Sequence, residues 1–305
     1  MTTQARLRAY VAVADTGSVR AAAQKLVVTE SAVSAALAML AREVGVPLLE
    51  RQGRGLRLTS AGRAYAGYAR AILGLHEEAL AAARGGEREH GRVRVAAVTT
   101  AGEHVIPPVL ASFLGRHPGV DLGLEVGPSE QVWELFADRG TDLVIAGRPP
   151  QSLTAVVRAV RPNALVVVGA PALAGTEVLR AAWLMREVGS GTRATCEALL
   201  ATLDADPVTL TMGSGGAVVA GAVAGLGATL VSRDAVRDHL AAGRLVELPV
   251  PHTPMRRPWH AVSHPHPSAA ADLFVAHLLA DDGPAGTRWR PPPRSSPLGS
   301  VRRRR

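Results

Sequence analysis

The spacing of apolar residues after Thr59 constrains this chain more than any other feature. Ala61, Tyr65, Tyr68, Ile72, Leu75 and Ala79 follow one another at intervals of 4, 3, 4, 3 and 4, the seam of a helix that packs lengthwise against another. Up to Gly85-Gly86 this is about 25 residues, a rod of roughly 38 Å. Such a seam favours self-pairing into a dimer, with Tyr65, Tyr68, Ile72 and Leu75 as the expected dimerisation contacts. The 305 residues are too many for one ordinary domain. They are expected to divide into a head over 1–58, a linker helix over 59–86, a body over 92–280 and a tail over 281–305.

Charge follows the same division. Residues 1–70 carry nine Arg and Lys25 against Asp15, Glu30, Glu43 and Glu50, a balance of +6. Residues 71–280 balance at −3 and the last 25 at +5, which sums to the net +8. A basic head on a faintly acidic body suits a polyanion-binding module joined to something else. Within the head, Leu7, Tyr10, Val11, Val13 and Ala14 recur at helical spacing and Gly17 stops that helix. Ser18 and Thr29 are placed to cap the two helices that follow. Val33, Leu37, Leu40 and Val44 form one stripe of the last helix, with Ser31, Ser34, Ala35 and Ala38 opposite. This is a helix-turn-helix pattern with a small-residue outer face. Arg51-Gln52-Gly53-Arg54-Gly55 then reads as a basic hairpin, a wing that attracts phosphates.

From Arg92 the rhythm changes to strand and helix in alternation. Strands are expected over 93–98, 122–126, 143–146, 164–168, 208–212, 228–231 and 259–262. Mostly parallel sheets in two lobes follow, with a ligand cleft between them. Ligands in such folds meet helix N-termini at the carboxyl ends of strands. Thr99-Thr100, Ser190-Gly191-Thr192 and Ser214-Gly215-Gly216 each join a hydroxyl to a helix start, and Ser129 opens another helix. The same residues would serve equally as ordinary N-caps.

The uncharged run 207–232 contains six Gly with Pro, Ser and Thr, too many turn formers for a spanning helix, so no membrane is expected. The start, MTTQARLRAY, has no secretory apolar stretch, which points to the cytoplasm. The tail, with five Pro and seven Arg, is expected to be disordered.

Residues 4 to about 280 resemble LysR-type transcriptional regulators. The head matches in Tyr10-Val11-Ala12-Val13-Ala14, Gly17-Ser18, Ala21-Ala22-Ala23, Ser31-Ala32-Val33-Ser34, Gly45-Val46-Pro47-Leu48-Leu49-Glu50-Arg51, Arg57-Leu58-Thr59 and Ala61-Gly62. The body matches in His117-Pro118-Gly119-Val120, Gly189-Ser190-Gly191-Thr192-Arg193 and Ala224-Gly225-Leu226-Gly227.

The resemblance implies an α+β multidomain chain. It would comprise an N-terminal winged helix-turn-helix, a long linker helix and a C-terminal two-lobed α/β domain like periplasmic binding proteins. It implies double-stranded promoter DNA and a small, anionic effector as partners, and self-association as a dimer or tetramer. Ser18, Glu30, Ser31, Ser34, Ala35, Arg51 and Arg54 are then the expected DNA contacts. Thr99, Thr100, Ser129, Ser190, Gly191, Thr192, Arg193 and Ser214 are the expected effector contacts, with Arg193 alternatively paired to Glu197. Two departures stand out. Glu30 replaces the family's usual Gln, and Ala35 stands where Arg or Lys is common, so base readout by this helix is thin. The segment between Val168 and Arg186 is also shorter than in relatives.

Other chemistries find little support. Val188 stands where a G-x-S-x-G elbow needs its first Gly. His252, His260, His264 and His266 lack metal-ligand spacing. Cys196 reads as a small apolar side chain, and Trp133 and Trp183 as core. No cofactor, metal or catalysis is expected. The rival readings are a nucleoid-type protein that binds DNA without sequence preference and, further off, a binding-protein-like enzyme or carrier.

Overall fold

The computed structural model describes residues 3–53, 55–83, 91–280 and 288–293. Three helices open the chain: α1 (Gln4–Thr16), α2 (Val19–Leu26) and α3 (Glu30–Val44). Gly17 and Gly45 end α1 and α3 at φ 64° and 77°, left-handed values that glycine reaches without a Cβ clash. Ser18 and Thr29 start α2 and α3 by accepting from the backbone N–H of Ala21 and Ala32 at 3.4 and 3.2 Å. The apolar faces close over Tyr10, Leu40 and Leu48 on one side and Val13, Ala22 and Val33 on the other. Strands β1 (Leu49–Gln52) and β2 (Gly55–Leu58) form an antiparallel hairpin. The Leu56 N–H donates to the Gly17 carbonyl at 2.9 Å and fastens the hairpin to the turn before α2.

The linker helix α4 (Ser60–Ala83) carries two stripes. The inner one, Ala66, Ala69 and Leu73, is buried on the head. At its start the Tyr10 hydroxyl donates to the Gly62 carbonyl at 2.8 Å. A β-carbon on Gly62 would stand 1.9 Å from the Leu48 carbonyl oxygen, so only glycine fits. Burial pushes the Tyr10 hydroxyl up to about 12, which keeps it a donor. Tyr65, expected on the dimerisation seam, is instead engaged within the head, its ring edge-on to Tyr10 at 5.5 Å. The reason is its place beside Ala66 on the flank of the inner stripe. Tyr68, Ile72 and Leu75 form the outer stripe, 55 %, 54 % and 66 % exposed. The expected helix end at Gly85-Gly86 lies outside the described residues.

The first lobe of the body contains β3 (Gly91–Val98), α5 (Thr99–His104), α6 (Ile106–Arg116), β4 (Val120–Gly127), α7 (Ser129–Ala137), β5 (Leu143–Ala146) and β6 (Val156–Arg161). The second contains β7 (Ala164–Gly169), β8 (Trp183–Met185), α8 (Gly191–Thr202), β9 (Thr209–Thr211), α9 (Gly215–Val223), β10 (Thr229–Ser232), α10 (Arg233–Ala241), β11 (Val246–Glu247) and β12 (Met255–Arg256). The chain then returns to the first lobe as β13 (Trp259–Ser263) and α11 (Ala269–Ala280).

The first sheet has the order β4-β3-β5-β13-β6 over a core that includes Phe113, Ile145 and Phe274. The second is centred on β7, with Trp183, Leu199 and Leu230 in its core. The expectation of mostly parallel sheets does not hold. Among the named strands of the body, parallel pairing is confined to β3–β4, β3–β5 and β8–β9. Strands β7 and β13 meet their named partners antiparallel: β13 returns from the second lobe and enters between β5 and β6 against their direction, and β10, β11 and β12 run back along β7.

The uncharged run 207–232 is divided among β9, α9 and β10. Among the described residues no single helix is long and apolar enough to cross a membrane. Residues 288–293 correct the expected disorder of the tail. Trp289 is only 3 % exposed in the first-lobe core, and Val160 and Arg290 exchange two backbone hydrogen bonds of 2.8 Å. Burying one large apolar side chain is worth about 3 kcal/mol, a local gain that the tail's average composition conceals. The rest of the tail lies outside the described residues.

Candidate functional site

The head and the cleft between the lobes both present polar groups to solvent. In the head, Glu30, Ser31, Ser34 and Ala35 lie exposed on one face of α3. The Ser31 hydroxyl is 2.9 Å from that of Thr29, and Ser18 is occupied as the cap of α2. No Lys or Arg occurs in α3 before Arg42. Cations flank this face instead. Arg51 on β1 is exposed and makes no ion pair among the described residues. Arg57 on β2 is held by Glu50, its Nε and Nη2 donating to Oε1 at 2.9 and 2.6 Å. Arg54 lies outside the described residues. A face of hydroxyls and methyls beside exposed cations has the chemistry for both kinds of contact a nucleic acid offers, cations for phosphates and small groups for base edges.

The cleft is built around a joint. The chain passes between lobes at Pro162-Asn163 and again at Arg257-Pro258. The Arg257 N–H donates to the Asn163 carbonyl at 3.0 Å, and Asn163 Nδ2 donates back to the Arg257 carbonyl at 2.9 Å. A buried ion pair stiffens the joint, Arg161 Nη1 to Asp234 Oδ2 at 2.6 Å, with Trp259 Nε1 donating to the same oxygen at 3.0 Å. Burial raises the Asp234 carboxyl, but the bonds from Arg161 and Trp259 outweigh it and hold the group below the ordinary range. It therefore remains a carboxylate.

Beside the joint the lobes enclose a cavity of about 40 Å³ lined by Thr99, Thr100, Ser129, Ser190, Gly191 and Thr192, together with Arg186, Arg257 and Trp259. The first six come from three sequence-distant helix starts and are brought together as expected from the hydroxyl pattern. Ser190 also caps α8 by accepting from Arg193 N at 3.4 Å, so capping and cleft lining coincide. The cavity continues outward into a groove of about 470 Å³ along Glu130, Val188, Gly189, Arg193 and Glu197.

Two expected contacts are not brought to the cavity. Arg193 is turned to the outer groove by its position on α8, where its guanidinium donates to Glu197 Oε1 at 2.8 Å and to the Arg186 carbonyl at 2.9 Å. Ser214 is exposed and caps α9, accepting from Ala217 N at 3.2 Å. Gly215 takes the inner position, where a β-carbon would stand 3.0 Å from Arg186 Nη1.

Two arginines of the cleft do not stand out in the sequence. Arg186 is buried and bidentate to Glu187 at 2.7 and 2.5 Å; its hydrogen bond holds the Glu187 carboxyl below the ordinary range. Arg257 differs. Its guanidinium donates to the Gly191 carbonyl at 3.2 Å and to Thr195 Oγ1, and no carboxylate pairs with it among the described residues. Burial alone lowers its pKa, from a starting value high enough that it stays charged. The nearby β-carbons of Gly147 and Gly191 would stand 3.6 and 3.2 Å from its nitrogens, so both lobes give it room. The signal in the sequence is an arginine fixed before a proline between two strands.

Elsewhere, burial pushes the Cys196 thiol up to about 11, leaving it protonated inside the second-lobe core. Among the described residues no group of three or more His, Cys, Asp or Glu is placed to hold a metal.

Comparison with known proteins agrees with this geometry. A family profile described as the bacterial regulatory helix-turn-helix protein, lysR family, matches residues 5–63. Another, the LysR substrate binding domain, matches residues 86–282. The transcriptional regulator CbbR of Rhodospirillum rubrum is 34 % identical over 90 % of this chain and 95 % of its own. The RuBisCO operon transcriptional regulator of Allochromatium vinosum is likewise 34 % identical, over 90 % and 95 %. Among solved structures, a full-length OxyR variant from Pseudomonas aeruginosa shares the fold across 97 % of this chain and 99 % of its own, with a TM-score of 0.76 at 18 % identity. The regulatory domain of CcmR from Synechocystis PCC6803, in complex with 2-PG, covers 62 % of this chain and 96 % of its own, with a TM-score of 0.58 at 28 % identity.

Proposed function

This chain is a LysR-type transcriptional regulator with a helix-turn-helix head and an effector-binding body, and from that premise we propose that its cleft senses a small anion. The observation that carries the reading is Arg257, a half-buried guanidinium without a carboxylate partner among the described residues, which lines the cavity together with Thr100, Ser129 and Ser190. A partly buried cation is stabilised by an anion that it can hydrogen-bond. One water needs about 10–15 Å³ of cavity volume, so the cavity has room for a few water-sized groups and suits an ion-sized head such as a phosphate or carboxylate. The rest of the effector then lies along the outer groove. The complex of CcmR with 2-PG supports this chemistry.

In the head, Glu30, Ser31, Ser34 and Ala35 face the bases of promoter DNA and Arg51 and Arg54 its phosphates, while Ser18 orders α2. Tyr68, Ile72 and Leu75 join two copies along the linker helix. The regulator works in the cytoplasm, without a reaction of its own. Residues 1–58, 59–86 and 92–280 act as head, linker and sensor. The relatives named for a RuBisCO operon make such an operon the first target to test.

The test is the affinity of the full chain for its own upstream DNA and for scrambled DNA of equal length, at two salt concentrations, with and without 2-PG or inorganic phosphate. A preference of about a thousandfold that survives salt and shifts with the anion is expected. Equal affinity for both DNAs, collapsing as salt rises, favours a non-specific binder. The alanine face of α3 keeps that outcome in view.

A further inference from the structure

Helix α7 spans from the cleft to the linker helix. Its first residue, Ser129, lines the cavity and faces α8 across it: a β-carbon on Gly191 would stand 3.5 Å from Ser129 Cβ. Its body is anchored by Val132, Trp133 and Phe136 in the first-lobe core, with His264 stacked on Phe136 at 4.0 Å. Its far end, about 13 Å away at 1.5 Å per residue, meets α4. There Arg63 Nε pairs with Asp138 Oδ2 at 3.1 Å, and the Arg139 guanidinium lies 4.1 Å from the centre of the Tyr68 ring. Between these contacts Gly67 admits the close approach, since a β-carbon on it would stand 2.0 Å from Arg139 Cβ and 2.9 Å from the Asp138 carbonyl oxygen.

The turn that makes this seat is a left-handed helix ending without glycine, a form the chain also adopts at Val27 and Asp204. Arg139 N–H donates to the Phe136 carbonyl at 3.0 Å and Gly140 N–H to the Leu135 carbonyl at 2.8 Å, the paired bonds of a Schellman ending. The residue at its left-handed position is normally glycine. Here it is Arg139, at φ 53°, although a glycine stands next in the chain. A non-glycine residue held in this region is strained, and strain is retained where the side chain has a task. Among the described residues, the contact made by this side chain is with the face of Tyr68.

From the built seat, the strained arginine and the shared helix we infer that the Asp138-Arg139 corner is the docking site of the linker helix, and that α7 carries the state of the cleft to the head through it. Arg139 and Gly67 are positioning residues in this scheme. Neither touches DNA or effector. The transmission rests on the effector reading of the cleft; the seat does not.

Two measurements on the full-length chain decide the matter. The first uses Arg139→Gly, which removes the cation and relieves the backbone, so that folding is preserved. Affinity for 2-PG or inorganic phosphate is expected to remain within about twofold, because the cleft is untouched, while the anion-induced shift in DNA affinity is lost. Arg139→Lys, which keeps a cation over the ring, is expected to restore part of it. An anion-induced shift in Arg139→Gly equal to that of the wild type overturns the proposal. If neither anion binds the wild type, the effector reading fails, and the seat is judged by the second measurement, which needs no ligand.

Coupling is reciprocal, so Tyr68→Ala is expected to speed amide hydrogen exchange about threefold or more at Arg139 and Gly140 and also at Val132 and Trp133. Unchanged exchange overturns the seat. A change confined to Arg139 and Gly140 overturns transmission along α7.

Discussion

Helix α3 and the cleft between the lobes are made with the same local device and set it in opposite surroundings. In both, a Ser or Thr hydroxyl caps a helix N-terminus: Thr29 at α3, Ser190 at α8. At α3 the cap opens on solvent, the helix face beyond it is bare of cations, and Arg51 stands to one side in water. At α8 the cap opens on a cavity, and Arg257 is half-buried in its lining. The difference is one of dielectric. An exposed cation gains little per contact and loses it to salt, whereas a partly buried one gains more and is screened less. A long polyanion can be bound by many weak peripheral contacts, but a single small anion needs a few strong ones.

The comparison can be broken most severely at Arg257. Arg257→Gln is expected to lower affinity for 2-PG or inorganic phosphate about a hundredfold, the worth of a charge-assisted bond to a buried anion, with DNA affinity in the absence of anion unchanged. Calorimetric titration of wild type and variant at two salt concentrations checks it. A loss below about threefold would return the cleft to ordinary N-capping.

Acid sharpens the contrast between the two regions, because the sequence holds no histidine before His76. Burial lowers His264 from 6.5 to about 4. Above 6.5 the ring is neutral whether the chain is folded or unfolded, and nothing is lost. Below 6.5 the unfolded chain takes up the proton and the folded lobe does not, so stability falls progressively towards pH 4 and levels off beneath it. The bound is about 3 kcal/mol, reduced to roughly half by solvent at a partly exposed ring. All four tryptophans lie in the body or beyond it. Their fluorescence during denaturant unfolding at pH 7 and 4.5 therefore reports the body alone, and His264→Gln is expected to flatten the difference.

The smallest effect is sought on α3. Ala35→Arg places a cation on the bare face, and is expected to raise DNA affinity about tenfold at low salt while steepening the salt dependence by about one counterion. Titration over a salt series reads both. Should scrambled DNA gain as much as upstream DNA, position 35 faces a phosphate rather than a base.

The parts of this molecule that are legible in the sequence are those governed by neighbours in the chain. Ser18, Thr29, Ser190 and Ser214 cap helices as their positions after a turn predict, and the strand over 143–146 agrees to the residue. Strand β6 is hidden, because Arg158 and Arg161 interrupt its apolar pattern and their partners, Asp272 and Asp234, lie 114 and 73 residues away. Arg257 is hidden for the same reason, since it meets Gly191 across 66 residues. The heptad spacing on α4 shows the outer stripe, while the inner one, Ala66, Ala69 and Leu73, lies beside that spacing and is fixed by contact with the head. Hydroxyls at helix starts announce a cleft, but the charges that give it selectivity come from elsewhere in the chain and leave no local period.

The short segment at Trp289 and Arg290 has a consequence for how copies of this chain avoid one another. Strand β6 is an outer strand of the five-stranded sheet, and an open row of N–H and C=O groups there would invite a strand from another molecule. The bridge from Arg290 to Val160 interrupts that row, and the indole beside it is buried in the first-lobe core. A chain shortened to residue 280 would therefore keep its helix-turn-helix head and its cleft. It would lose its own guard against strand addition, and its failure would be seen first as concentration-dependent precipitation.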